Sequence, residues 1–144
     1  MPSKSDYVFV PKVDLNEGIS AGKITAAALI GTKDQLFFVP LRSQQYLGSA
    51  PTTETFPENE TYIAELQNRI ANLSSSELST ELAEKVGETY SYRLAGLKKF
   101  TIKVGFWIFG GMWLQKESGQ LHSINVQPKS AREELRAFYA MYFS

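Results

Sequence analysis

"KVGFWIFGGMWLQK", residues 103–116, gathers Phe106, Trp107, Ile108, Phe109, Met112, Trp113 and Leu114 around a glycine pair, with a lysine at either end. It can be read as a membrane insertion, a ligand-gripping surface or the core of a hairpin. Just upstream, Phe100, Ile102 and Val104 alternate with Lys99, Thr101 and Lys103, the period of a half-buried strand. Gly110 and Gly111 stand where a two-residue primed turn needs positive φ, so the stretch reads as two strands reversing at the glycines. The eleven residues 104–114 are too few to cross a bilayer as a helix, which takes about 20. Truncating a buried aromatic side chain costs about 3–5 kcal/mol. A lysine on anionic lipid contributes about 1 kcal/mol. That comparison predicts that most of these rings are internal.

Outward from the hairpin, Ser118 and Gly119 make a turn into "QLHSINVQ", a last strand with His122, Ile124 and Val126 on one face. "PKSAREELRAFYAMYFS" then predicts a C-terminal helix. Ser130 and Glu133 have the spacing of a capping box, and Ala131, Leu135, Phe138 and Tyr142 form an apolar stripe. Towards the N-terminus, "DYVFVPKV" predicts a strand, with Pro11 marking an edge position or an early end. "KITAAALIGTKDQLFFVPLR" predicts strands at 24–30 and 35–41 around a Gly31-Thr32-Lys33-Asp34 turn. Residues 49–61, rich in Pro, Thr and Glu, predict a mobile connection. Ile63, Leu66, Ile70 and Leu73 then mark a helix, and Ser74 with Glu77 caps a second one carrying Leu78, Leu82 and Val86 up to Gly87. Residues 88–95 fit either a helix extension or a strand; the alternation of Tyr90, Tyr92 and Leu94 favours a strand.

Length and composition narrow the function. A chain of 144 residues with 43% hydrophobic side chains suits a single domain over residues 1–144, with a loop and two helices inserted at about 42–88. Cysteine is absent, which excludes disulfides and thiolate metal sites. No secretory h-region and no run of about 18 apolar residues occurs, so a cytoplasmic protein is expected. Fifteen basic and fifteen acidic side chains leave no net charge, which argues against nucleic acid as a partner. The charge is unevenly placed, however. Residues 54–88 hold eight acids against two bases, a net of −6, and residues 93–136 hold eight bases against three acids, a net of +5. His122 is the one histidine, and no nucleophile elbow, phosphate-binding glycine loop or metal-ligand spacing accompanies it. No enzyme, cofactor or metal is expected.

The order of elements is α+β: an antiparallel sheet or partial barrel of about seven strands with a closing helix. Two stretches, "ALIGTKDQLFFVPLR" and "YRLAGLKKFTIKVGFWIFGGMWLQKESGQLHSINVQ" followed by "SAREELRAFYAMY", resemble the early hairpin and the strand-strand-strand-helix finish of bacterial pleckstrin-homology-like and GRAM-like domains. The resemblance covers about two-thirds of the chain. The helical insertion departs from that family, as does the closing helix, with Phe138, Tyr139 and Tyr142 where many eukaryotic members have tryptophan. A cystatin-like or NTF2-like sheet is the alternative. The family's phosphoinositide site, several bases around the first strand-to-strand loop, does not carry over: here Lys12 and Lys23 face Asp14 and Glu17. The resemblance implies a non-enzymatic module binding a protein or peptide. Two alternatives stay open: peripheral binding to anionic membranes through Lys98, Lys99, Lys103 and Lys116 with an exposed Trp107 or Trp113, and an inhibitor or immunity protein acting through the acidic segment.

Overall fold

The computed structural model describes residues 6–16, 22–46 and 52–142. They form an α+β fold with an antiparallel sheet that does not close. Its strands are β1 (Val8–Asn16), β2 (Lys23–Gly31), β3 (Gln35–Gln45), β4 (Thr52–Thr55), β5 (Ser91–Arg93), β6 (Leu97–Phe106), β7 (Phe109–Lys116) and β8 (Leu121–Val126). Helices α1 (Pro57–Arg69) and α2 (Ser75–Val86) separate β4 from β5, and α3 (Lys129–Phe138) follows β8. The order across the sheet is β4-β3-β2-β1-β8-β7-β6, with β5 pairing β3 beside β4.

Both faces of β2 and β3 are covered, which explains why these strands read as continuous apolar runs rather than alternating ones. On one face Leu29, Leu36 and Phe38 join Val13, Leu15, Ile102, Met112, Leu114 and Ile124 beneath Leu135 of α3 and Tyr139, which follows it. On the other, Ala28, Ile30, Phe37 and Val39 meet Ile63 and Leu66 of α1 and Leu78 and Leu82 of α2. The inserted helices are thus a second layer on the sheet. Residues 42–45, expected as the start of the loop before the helices, belong to β3. Ser74 and Glu77 form the expected capping box. Arg69 joins the two helices by a bidentate pair with Glu81 at 2.7 Å on both oxygens, and the Tyr62 hydroxyl donates to the same carboxylate. The Arg69 bond holds the Glu81 carboxyl below its ordinary range.

Four expectations are corrected. Pro11 does not end the strand: β1 continues to Asn16, and the register with β2 skips Pro11 and Lys12 in a bulge, while the ladder with β8 begins only at Val13, so Pro11 stands at a locally unpaired edge as one of the two expectations had it. The 49–61 connection contains β4 and the first turn of α1, while residues 49–51 lie outside the described residues. All four β4 side chains are exposed, so its backbone pairing left no hydrophobic signal. Residues 88–95 are a strand only at Ser91–Arg93, flanked by 3-10 turns. Ser130 caps nothing, since α3 starts one residue earlier behind Pro128.

The C-terminal end of α3 is latched to the β2–β3 turn. The Tyr139 hydroxyl donates to the Thr32 carbonyl at 2.7 Å, the Tyr142 hydroxyl donates to that of Lys33 at 2.8 Å, and Lys33 Nζ donates to the Phe138 carbonyl at 2.9 Å. Gly31 is required there because a Cβ would collide with the Tyr139 hydroxyl. Tyr139→Phe should cost about 1–2 kcal/mol in urea unfolding. Gly31→Ala should also destabilise, and the double variant should lose clearly less than the sum. Strict additivity would contradict the contact.

Candidate functional site: the tip of the β6–β7 hairpin

The reversal in the opening stretch falls three residues earlier than its glycines suggest. Phe106 pairs with Phe109, leaving Trp107 and Ile108 as the turn, and Trp107 adopts φ 53°. That left-handed conformation is ordinarily given to Gly, Asn or Asp. The glycines serve the other purpose of glycine, close approach. A Cβ on Gly110 would strike the Arg132 side chain and the Lys103 and Val104 carbonyls, and one on Gly111 would strike the Ile124 carbonyl. Gly105, at φ 59° in a bulge between Lys103 and Phe106, lies against the Phe109 carbonyl.

The shifted turn overturns the expectation that most of these rings are internal. Phe106 is 66% exposed, Trp107 73%, Ile108 52% and Phe109 55%. Only Met112 and Leu114 are fully buried, and Trp113 is half-buried on the outer face of β7 opposite Thr101 and Ser123. The exposed rings touch one another, Phe106 to Phe109 at 5.5 Å and Trp107 to Phe109 at 6.2 Å between centroids. They form one apolar knob.

Beneath the knob lies Arg132 of α3, with no exposed surface. Its Nε donates to the Val104 carbonyl at 2.5 Å, Nη2 to that of Trp107 at 2.6 Å, and Nη1 to the Val126 carbonyl at 2.8 Å and to Gln127 Oε1 at 3.1 Å. Gln127 Nε2 in turn donates to the Ile108 carbonyl and to Asn125 Oδ1, both at 3.0 Å. Two side chains therefore tie the carbonyls of both turn residues to α3 and β8. The rigid fork of a guanidinium can reach several carbonyls at once, which an ammonium cannot.

The four lysines singled out in the sequence do not converge. Lys103 is exposed on β6, about 10 Å along the strand from Phe106. Lys98 and Lys99 are exposed at the far end of β6, and Lys116, paired there with Leu97, is half-buried with its Nζ 5.0 Å from the Tyr92 ring. Lys129, which opens α3 two residues after Gln127, is a second basic residue near the tip that the sequence reading missed. His122 is buried on the inner face of β8, edge-on to Tyr92 at 5.9 Å and remote in register from the turn. Among the described residues no group of three or more His, Cys, Asp or Glu is placed to hold a metal ion. None of the described helices is long and apolar enough to cross a membrane.

Comparison with protein-family models, curated proteins and solved structures gives no match.

Two outcomes test this geometry. Arg132→Met removes the donors to the Val104, Trp107 and Val126 carbonyls and should cost about 3 kcal/mol in denaturant unfolding, with Arg132→Lys recovering little of it. Trp107→Gly relieves the left-handed strain at an exposed position and should raise stability by about 0.5–1 kcal/mol. A destabilised Trp107→Gly would show that the ring is packed.

Proposed function

We propose that this chain is a non-enzymatic, cytoplasmic binding module on a PH-like scaffold, and that it engages its partner with the tip of the β6–β7 hairpin. The strand order and the helix packed behind the last strand support the scaffold. The observation that carries the binding role is the knob itself: four adjacent large apolar side chains, each more than half exposed, on a turn whose carbonyls are pinned from below.

Isolated apolar side chains on a surface need no explanation, but a contiguous and strained group does. Exposed rings gain nothing for the fold, and a tryptophan in a left-handed turn works against it. A binding role accounts for both. Aromatic anchors with few rotatable bonds, held on a pinned backbone, lose little entropy when they dock, so more of their burial energy appears as affinity.

The test replaces the gene at its native locus with Phe106→Ser/Trp107→Ser/Phe109→Ser. The variant should unfold at least as high in temperature as the wild type yet reproduce the phenotype of the gene deletion. Full complementation by a stable, normally abundant variant would reject the tip as the binding element.

A further inference from the structure

We infer that the surface the tip enters is an anionic lipid bilayer, read through charge and depth and not through one headgroup; this rests on the tip being the binding element. Two features of the chain give the surface its sign. Residues 89–116, which include all of β5, β6 and β7, contain five basic side chains and no acidic one. Past Glu117, in the β7–β8 turn, residues 118–132 contain no acid and add Lys129 at the surface; Arg132 is buried and contributes no surface charge, and Glu133 and Glu134 follow it. The strands carrying the knob are therefore uniformly basic in a chain of zero net charge.

The placement fits a shallow wedge. Residues 106–109 lead, presenting two phenylalanines, a tryptophan and an isoleucine. Tryptophan favours the headgroup level of a bilayer, where its ring is buried and its N–H stays hydrated. Lys103 precedes Phe106 by three residues on β6 and Lys129 opens α3 two residues after Gln127, which bonds the turn, so these two bases flank the knob where attraction to anionic headgroups is least screened. Lys98 and Lys99 lie further along the edge strand β6 and add long-range attraction only. Unpaired carbonyls are costly in a bilayer, and those of Trp107 and Ile108 already accept bonds from Arg132 and Gln127. The objection that rings at a membrane are rings lost to the core does not apply, because these were never in the core.

Co-sedimentation of the full chain with vesicles tests this directly. The protein should pellet with vesicles of phosphatidylcholine mixed with phosphatidylglycerol, far less with phosphatidylcholine alone, and less as salt rises. Phosphatidylserine or a phosphoinositide at equal surface charge should serve equally well. Trp107→Ser/Phe109→Ser should weaken binding by at least about tenfold, and Lys103→Glu/Lys129→Glu by about tenfold. Tryptophan emission should shift to the blue on adding vesicles in the wild type but not in Trp107→Phe. Absence of wild-type binding to anionic vesicles, while the tip variant still reproduces the deletion, would overturn the lipid inference and leave an apolar pocket on a protein as the partner. Binding that survives the tip substitutions, or that requires a phosphoinositide, would overturn it as well.

Discussion

The guanidinium of Arg132 is the interaction on which the hairpin, the closing helix and the exposed tip all depend. A cation taken wholly out of water needs hydrogen-bond acceptors, and here three carbonyls and a side-chain amide oxygen, from β6, β8, the turn and Gln127, receive four of the five N–H groups. The oxygens bonded are neutral, so the group ties backbones together instead of neutralising a carboxylate. Its planar fork reaches Val104 near the end of β6 and Trp107 in the turn, and Gly110 leaves room for it to pass. At its opposite end α3 is fixed to the β2–β3 turn through Tyr139, Tyr142 and Lys33. One helix thus spans two reversals of the chain, clamping one against the core and presenting the other to solvent.

The sequence revealed the fold wherever side-chain burial follows a simple period. The meander, the β2–β3 hairpin, the α2 capping box and the closing helix follow from alternation, apolar runs and helical stripes. Reading failed where backbone geometry decided the outcome. β4 pairs through its main chain and has four exposed side chains, so its composition resembles a linker. Pro11 falls in a bulge, a case that a single sequence cannot distinguish from a strand end. Arg132 counts as a surface charge by composition, although its i+3 spacing to Leu135, on the buried side of α3, placed it near the core.

The site shows the same division. The stretch at 103–116 was conspicuous in the sequence, but its meaning turned on a shift of three residues in the turn. Glycine supplies either positive φ or closeness, and Gly110 and Gly111 supply closeness. With the turn at the glycines, Trp107 would sit in a strand and have a face to bury. With the turn at Trp107 and Ile108, the rings lead outward. The stability that a glycine would restore at position 107 is the cost of presenting an indole there, and a docking element accounts for keeping it.

Backbone order at the tip tests the central claim most directly. An exposed apolar knob is an efficient binding element only if its frame is fixed before the partner arrives. Nitrogen-15 relaxation should give residues 105–110 order parameters of about 0.85, equal to those of the middle of β6, falling sharply in Arg132→Met. Values below about 0.6 at the tip of the wild type, with β6 and β7 otherwise rigid, would contradict the account.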